Sequence, residues 1–479
     1  MNIRPLGIVL LLILMQGAFG QETSTLQKEA PAIIRVLSFE EYLGYVKEHH
    51  PLLKQANLIL TIGEANLLKA RGGFDPKIEV DFDRKKFKGI EYYDEFNAVF
   101  KIPTWYGIEF KVDFEENTGE FLNSRDSLPD GGLFSAGVSF SVLEGFLINE
   151  RMATLRKARF FRDQTQAQRN LLVNTLIFEA SKAYFEWLKA YNAEQIFKDF
   201  LNNAEIRFKG IERSAEVGEK AAIDVVEARI AFQDRKLKLE AAKLKRRKAA
   251  LKVGNFLWVN ELPLQIQDEV VPERPTEQVL SSSLYLDGIT TTRDLVAGHP
   301  KLQQIEAKIA GLRIDRAYKK NKLLPRLDLS YNFLTQDSQQ FGGFNTANYK
   351  ASVNFSVPIF LRKERGAVRL ANTKLKDANF DRISMGLELE NKVDAVTAEI
   401  NSLETQNVLI KDIVKDYRTL LSAEERKFQL GESSLFLINS REQKLITASI
   451  KANELEVKYL HANASLYNAL GISDDNLSN

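Results

Sequence analysis

The sequence predicts a mainly α-helical fold with a β-sheet portion, in which strands followed by a long helical hairpin occur twice in tandem. Two segments alternate apolar with small polar residues, FSAGVSFSV at 134–142 and YKASVNFSV at 349–357. Five identities occupy matching positions: Ala136, Val138, Phe140, Ser141 and Val142 in the first segment, and Ala351, Val353, Phe355, Ser356 and Val357 in the second. This correspondence indicates an internal duplication.

A long stretch without proline follows each alternating segment. No proline lies between Pro129 and Pro263, and none follows Pro358. Both stretches are rich in Ala, Leu, Glu, Lys, Gln and Arg, which favour helix, whereas proline would interrupt it. Residues 147–212 alone would form roughly 100 Å of helix. Apolar residues at heptad-like spacing in this stretch predict burial against other helices.

Two further markers occur once in each half of the chain. They are a His-Pro pair before an amphipathic helix and a glycine within the helical stretch: His50-Pro51 and Gly218 in the first half, His299-Pro300 and Gly431 in the second. The spacing from the alternating strand to the glycine is nearly the same in both halves. We therefore expect two helical hairpins of matched length.

These markers divide the chain into five parts. Residues 1–20 are predicted as a signal peptide, 21–258 as the first repeat, 259–298 as a connector, 299–472 as the second repeat and 473–479 as a tail. The signal has a positive Arg4, an apolar run at 7–15 and a small-x-small cleavage site ending at Gly20. That run is too short to span a bilayer, which takes about 20 apolar residues. We expect an exported protein without a helical membrane span.

The edge strands limit the kind of sheet that this chain can form. Strands are also predicted at 78–83 and 327–333, which gives four to six strands per chain. Such a sheet has exposed edges, whereas an exported barrel must be closed. Alternation alone fits a soluble sandwich equally well. Together with the export signal and the long helices, it favours a transmembrane β-barrel for which several chains pool their strands.

The first repeat is longer than the second because of extra residues at 88–122. Apolar residues alternate with polar ones at 96–100 and 108–114, which predicts an inserted β-hairpin turning at 103–107. It could add strands to the barrel or extend beyond it as an extracellular cover. Its charged residues are Glu91, Asp94, Glu95, Glu109, Lys111, Asp113, Glu115 and Glu116. Because charges at the bilayer midplane are expensive, we expect the hairpin to extend beyond the membrane.

Composition argues against several classes of function. The chain has no cysteine, which removes disulfides and thiolate metal sites. It carries 66 Lys and Arg against 64 Asp and Glu, and the basic run at 243–248 has no interleaved aromatics, so nucleic acid is not an expected partner. We find no nucleophile motif, phosphate loop or metal-spaced cluster. His49 and His50 are adjacent, so they would diverge by about 100° on a helix. We expect no enzyme activity, metal or cofactor.

The ordered set of motifs resembles the TolC-like outer-membrane efflux channel family over about residues 35–475. Beside the His-Pro pairs, the motifs are Leu324-Pro325 before a strand, Val357-Pro358-Ile359-Phe360 after one, and Gly218 with Asp224, Val225, Ala228 and Arg229. The resemblance implies a homotrimer with one barrel in outer-membrane lipid and a helical tunnel crossing the periplasm. An inner-membrane pump and its periplasmic adaptor would open the tunnel. The implied function is the exit duct of an efflux or type I secretion system.

The resemblance also implies an aperture at the periplasmic helix reversals. The candidate residues are Gly218, Asp224, Glu227, Arg229, Phe428, Gly431, Glu432, Leu437, Ser440 and Arg441. We expect Asp224 to link neighbouring helices through Arg229, Arg441 or a polar group near Phe428. Leu437 and Ser440 stand where many relatives carry aspartates. The nearest acidic substitutes are Glu432 and Glu442, which could equally be solvated tip residues.

One alternative class also uses long helical hairpins, namely a periplasmic adaptor or coiled-coil scaffold. Adaptors generally carry a single hairpin within a small β domain, whereas this chain has two of equal length. A scaffold should be soluble once its signal is removed, and a channel should require detergent. The sequence does not identify the exported substrate.

Overall fold

The computed structural model describes residues 35–123, 127–287, 296–337 and 345–472. The predicted signal peptide and the tail at 473–479 lie outside the described residues, as does 288–295 of the connector. The first elements are β1 (Arg35–Leu37), α1 (Phe39–His49), α2 (Pro51–Arg71), β2 (Lys77–Phe87), β3 (Ile90–Pro103), β4 (Ile108–Thr118), β5 (Leu133–Ser141), α3 (Glu150–Glu216) and α4 (Ala222–Gly254). The remaining ones are β6 (Trp258–Val259), β7 (Leu262–Pro263), β8 (Val270–Pro272), α5 (Glu277–Ser283), α6 (Pro300–Asn321), β9 (Arg326–Thr335), β10 (Tyr349–Ser356), α7 (Arg362–Gln429) and α8 (Leu435–Leu470). The predicted mainly helical fold with a β portion is confirmed.

Two very long helices, α3 with 67 residues and α7 with 68, carry the structure. At 1.5 Å per residue each is roughly 100 Å long. The shorter α2 and α4 both pack on α3: Leu67 of α2 contacts Leu155, while Ile211 of α3 contacts Ala228 of α4. In the second half α6 and α8 pack on α7 in the same way. Each pair of shorter helices therefore lies end to end along one long helix.

Histidines lie where the shorter helices meet. The Nδ1 atom of His50 accepts a hydrogen bond from the Leu52 N–H at 3.1 Å, and that of His299 accepts one from the Lys301 N–H at 3.0 Å. Each histidine caps a helix whose first residue is proline, a residue suited to that position. The imidazoles also bond to the backbone of Asn255, after α4, and of Asn468, in the last turn of α8. The His-Pro pairs are therefore helix junctions.

The six long strands form one antiparallel sheet in the order β10-β9-β5-β4-β3-β2. β3 and β4 lie between β2 and β5. β3 pairs with β2, β4 pairs with β5, and β3 and β4 pair with each other. Phe100 of β3 is opposite Ile78 of β2 and Val112 of β4, and Val112 is opposite Ala136 of β5. The inserted hairpin is therefore a continuous part of the sheet.

We expected this hairpin to extend beyond the membrane as an extracellular cover instead of joining the barrel strands; the cover is wrong, because β3 and β4 pair within the sheet, although the turn lies where predicted, at 104–107. The turn points back towards the helices: Trp105 stacks on Phe74, and the Asn149 side chain donates to the Trp105 carbonyl at 3.0 Å. Most of the charges that suggested an outer position lie on the polar face, whereas Asp94 and Glu116 lie on the apolar side at the end of the hairpin far from the helices. Glu109 and Asp113 face away from the apolar side chains, so neither lies on the apolar face of the sheet.

All six strands place most of their apolar side chains on one face and most of their polar side chains on the other; the exceptions include Arg84, Asp94 and Glu116 on the apolar face and Val99 on the polar face. The apolar face carries Ile78, Val80, Phe82, Phe96, Ala98, Phe100, Ile102, Ile108, Phe110, Val112, Phe114, Phe134, Ala136, Val138, Phe140, Leu327, Leu329, Tyr331, Phe333, Tyr349, Ala351, Val353 and Phe355. The polar face carries, among others, Glu79, Asp81, Asp83, Glu95, Asn97, Lys101, Glu109, Lys111, Asp113, Glu115, Ser135, Ser139, Asp328, Ser330, Asn332, Lys350, Ser352 and Asn354. On the apolar face, Ile78 is 76% and Val353 68% exposed. So broad an exposed apolar surface marks an interaction with protein or membrane.

The largest hydrophobic core lies midway along the long helices. Tyr42 of α1 stacks on Tyr184 of α3, and Trp187 packs edge-on against the same ring. The Tyr184 hydroxyl donates to the Leu37 carbonyl at 2.8 Å and accepts from the Glu273 N–H at 3.0 Å. Burial raises the pKa of Tyr184. These bonds hold the parallel pair β1 and β8, which the sequence analysis missed, against α3.

Candidate functional site

Both helical hairpins reverse direction at one end of the molecule, which we call the tip, residues 217–221 and 430–434. Gly218 has φ +84° and Gly431 has φ +79°, in the left-handed region that favours glycine. The Glu219 N–H donates to the Ser214 carbonyl at 2.8 Å, which closes the end of α3. The equivalent bond from Glu432 to Lys427 is 2.9 Å long. The two predicted glycines thus terminate α3 and α7.

Aromatic and apolar contacts join the two reversals. Leu435 packs with Ile211 and Ala228, and the Phe428 ring lies against the same cluster. The Lys220 ammonium lies 4.6 Å from the centroid of the Phe428 ring. Arg229 lies over another ring of this cluster, that of Phe208, at 5.8 Å. Candidates Phe428 and Arg229 therefore hold the helices of the tip together.

Asp224 lies in the first turn of α4 and is partly exposed. A carboxylate is favourable there because the helix N-terminus carries partial positive charge. Among the described residues of this single chain, none forms a hydrogen bond or ion pair with the Asp224 side chain. The expected link to Arg229 or Arg441 does not form within one chain.

The remaining tip candidates divide into exposed and linked residues. Glu432 is exposed, Leu437 is 39% exposed and Ser440 is half-buried. Arg441 lies 3.6 Å from Glu424, within the second hairpin.

Glu227 is the candidate that links the two hairpins by a hydrogen bond. Its Oε1 accepts from the Asn439 side chain at 3.0 Å. This bond joins α4 to α8 directly above the tip.

The sequence analysis missed a group of charges farther from the tip, which we call the buried ion cluster: Arg207, Arg235, Glu425 and Glu442. The cluster takes one residue from each of the four long hairpin helices. Glu442 is fully buried, 3.1 Å from Arg207 and 3.5 Å from Arg235. Arg207 also lies 3.2 Å from Glu425. Removing one partner of such a pair leaves the other charge buried without full compensation, which costs about 3–5 kcal/mol.

The interpretation of Glu442 as a solvated tip residue or a member of an acidic ring is wrong. Heptad spacing could have identified its burial. Glu442 follows Leu435 and Ile438 and precedes Leu445 at steps of three or four residues, which is the buried seam of α8. A charge in such a seam requires an opposite charge on the facing helix, and Arg207 occupies the corresponding seam of α3.

At the opposite end of the molecule the sheet has two unpaired edges, β2 and β10, both exposed along their whole length. β2 runs away from the helices and β10 returns towards them. The β10 edge of one copy can therefore pair antiparallel with the β2 edge of the next copy. Because every copy offers both edges, such pairing can close into a ring when the rotation between copies is a whole fraction of a turn. A ring satisfies the edge groups that lipid would leave unpaired.

No helix within the described residues has both the length and the apolar character needed to span a membrane.

The sequence matches the outer membrane efflux protein family over residues 112–256 and 292–472. The chain belongs to this family. Among solved structures, the outer membrane channel CmeC of Campylobacter jejuni is 15% identical, with a TM-score of 0.64 over 90% of this chain and 85% of CmeC. The open state of the MtrE outer membrane channel of Neisseria gonorrhoeae is 13% identical, with a TM-score of 0.66 over 90% and 88%. The outer membrane protein VceC of Vibrio cholerae is 13% identical, with a TM-score of 0.61 over 90% and 95%. No curated protein matches the chain.

Outer membrane efflux proteins are the exit ducts of efflux systems, with a helical tunnel in the periplasm. They are channels that generally form trimers and work with pump partners. In this family member the sheet forms part of a barrel and the long helices form the periplasmic tunnel. From the separation of the two faces we infer that the apolar face meets lipid and the polar face lines the lumen. The family assignment replaces the alternative of an adaptor or coiled-coil scaffold.

Proposed function

We propose that this outer membrane efflux protein is a homotrimer that receives substrate from an inner-membrane pump through a periplasmic adaptor, in efflux or type I secretion. The observation that carries the assembly is the pair of unpaired edges, β2 and β10, which run in opposite directions. One copy cannot close its six strands, and three copies joined edge to edge form one barrel in outer-membrane lipid. We propose three copies because outer membrane efflux proteins generally form trimers.

We also propose that each chain is a tandem duplication, with residues 21–258 and 299–472 as the repeats and 259–298 as the connector. Equivalent bonds at His50 and His299 support this division, since each joins the helix that precedes the strands of its repeat to the end of the helix that follows them last. The duplication supplies a trimer with six hairpins around one tunnel.

The tip is the proposed periplasmic aperture, formed by Gly218, Asp224, Glu227, Arg229, Phe428, Gly431, Glu432, Leu437, Ser440 and Arg441. Asp224 is partly exposed and lacks a partner among the described residues of its own chain, so it is available to a neighbouring chain. Links of this kind between copies would hold the tunnel closed until the pump and adaptor engage it. The duct itself is passive, without catalytic activity, cofactor, metal or nucleic-acid partner.

Fractionation and gel analysis test the assembly. We expect the protein in the outer-membrane fraction, soluble only with detergent, as a species that migrates as a trimer unheated and as a monomer after heating. Reconstituted trimers should conduct ions across planar bilayers. Recovery of a soluble monomer from the periplasm would contradict the proposal.

A further inference from the structure

The two repeats contribute unequal numbers of strands to the sheet. The second repeat supplies β9 and β10, whereas the first supplies β2, β3, β4 and β5. Without β3 and β4, the first repeat would retain one outward and one returning strand, as the second does. The family match begins within β4, so β2 and β3 lie outside the matched residues. Compared with the second repeat, the β3–β4 hairpin is therefore an insert, and it forms two additional strands of the sheet.

We propose that this hairpin widens the exit of the duct, so that three chains close as an 18-stranded barrel. The proposal rests on the homotrimer proposed above. With strands ~4.8 Å apart and tilted ~40°, 18 strands give a backbone diameter of roughly 36 Å, against roughly 24 Å for 12 strands. The insert thus makes the barrel about half again as wide.

Cross-strand contacts bind the hairpin to both of its neighbours. On the apolar face, the Phe114 ring lies 4.6 Å from that of Phe134 on β5. On the polar face, Ser135 of β5 donates to the buried Asp113 of β4, and Lys101 of β3 pairs with Glu79 of β2. Both faces of the hairpin therefore continue the faces of its neighbours.

The helical end of the hairpin is anchored to the tunnel wall. Glu109, the second residue of β4, lies 3.0 Å from Arg151 at the start of α3. The Arg156 guanidinium lies 5.4 Å from the ring of Trp105, in the turn between β3 and β4. These contacts make β3 and β4 a direct continuation of the helical wall below them.

With the hairpin included, the width of the strand wall is similar to that of the helical wall. Four helices per chain at ~10 Å spacing span roughly 40 Å of tunnel perimeter. Six strands at the same tilt span roughly 38 Å, whereas four would span roughly 25 Å. A barrel that includes the hairpin is therefore about as wide as the tunnel. Since an α-helix with side chains is ~10–12 Å across, the exit admits a helical polypeptide as well as small solutes.

A matched pair of variants on β3 tests whether the hairpin is in the membrane. Phe100 is on the apolar face and Asn97 on the polar face. Phe100→Arg should reduce the outer-membrane trimer at least roughly 30-fold, the equivalent of ~2 kcal/mol for arginine facing lipid. Asn97→Arg should change the yield less than twofold. Equal yields of the two variants would overturn the proposal.

Cysteine cross-linking counts the strands directly, because the chain has no cysteine of its own. Asp81 is opposite Asn97 across β2 and β3, and Asp113 is opposite Ser135 across β4 and β5. Paired cysteines at each of these sites should cross-link in membrane-embedded trimers. Cross-linking of Asp81→Cys to Ser135→Cys instead would place β2 directly beside β5 and overturn the widening.

Deletion of residues 90–118 tests the width itself. The remaining residues 88–89 and 119–132 are long enough to join β2 to β5 as a hairpin. Trimers of the deletion variant should exclude polyethylene glycols, added from the outer side, whose radius is about a third smaller than those that the native barrel excludes. An unchanged cut-off with intact trimers would overturn the widening alone. Absence of trimers from the native protein would instead contradict the proposed function.

Discussion

The carboxylate of Glu442 on α8 is fully buried and lies 3.1 Å from the guanidinium of Arg207 on α3. The contact joins the second hairpin to the first, and Arg235 on α4 approaches the same carboxylate. At this level α3, α4, α7 and α8 are therefore joined by ion pairs rather than by leucine side chains. Apolar seams tolerate sliding of one helix past another, whereas a buried carboxylate between two arginines has one register that satisfies it. We infer that the cluster holds the two hairpins in register.

Replacing Glu442 should destabilise the tunnel strongly. Glu442→Gln removes the fully buried carboxylate and leaves Arg207 and Arg235 with only the partly exposed carboxylates of Glu425 and Asp234, at a cost of about 3–5 kcal/mol. Glu425→Gln is the matched control, because Glu425 contacts the same Arg207 but its side chain is 44% exposed, so its loss should cost less than ~1 kcal/mol. Thermal unfolding in detergent, followed by helix signal, measures both. Similar melting temperatures for the two variants would show that the cluster does not hold the helices.

Acid should weaken the junction at His299. Burial, with Lys392 and Lys301 nearby, lowers the pKa of His299 to about 4, from about 6.5 in the unfolded chain. Between these two values the unfolded chain binds a proton that the folded chain refuses, so stability falls as pH drops from about 6.5 to about 4 and then levels off. The full effect is about 3 kcal/mol per chain. His299→Asn retains a capping side chain without a titrating group, so this loss should disappear.

Unfolding measured across this pH range, with His49→Asn as a control that caps no helix, tests the assignment. The control should retain the native pH dependence. If His299→Asn retains it as well, another group is responsible for the acid sensitivity.

The apolar face of β10 should reject charge. Val353 and Phe355 are exposed on this face, and Asn354 between them is on the polar face. Val353→Arg or Phe355→Arg should impair membrane assembly by about 2–4 kcal/mol if the side chain lies near the bilayer midplane. Asn354→Arg should assemble normally, because its side chain enters the water-filled lumen. Trimer yield in the outer membrane measures all three, and normal assembly of both apolar-face variants would show that this face does not meet lipid.

Tip residues should control ion flow. One exposed ion pair is worth only about 0–1 kcal/mol, so a single link at Asp224 cannot close a trimer, but three symmetric copies can bias it towards the closed state. Asp224→Ala should raise single-channel conductance in planar bilayers with little change in trimer stability. Leu437→Asp adds three carboxylates at the tip and should increase selectivity for cations. Unchanged conductance and selectivity in both variants would place the constriction elsewhere in the hairpins.

Periodicity predicted the long helices and the alternating strands, because both patterns repeat over many residues. The inserted hairpin shows where composition misleads: its acidic residues suggested exclusion from the membrane until the register assigned Glu109 and Asp113 to the lumenal face. Three-residue strands such as β1 and β8 carry too little pattern to be recognised, and only the bonds at Tyr184 reveal them. Glu442 lay within reach of the sequence, since its heptad position is apolar at every neighbouring step.

The end-to-end arrangement of α2 with α4, and of α6 with α8, sets the length of the periplasmic part of the molecule. That length runs from the pair of histidine junctions to the tip. Within the described residues, only paired helices run from the core that holds β1 and β8 against α3 to the tip, so one heptad added there to each of α3, α4, α7 and α8 would lengthen the reach by ~10 Å. Such an insertion, placed between that core and the buried ion cluster, would leave the junctions and the tip intact. The distance to the inner membrane can thus change by whole heptads while the barrel and the aperture stay the same.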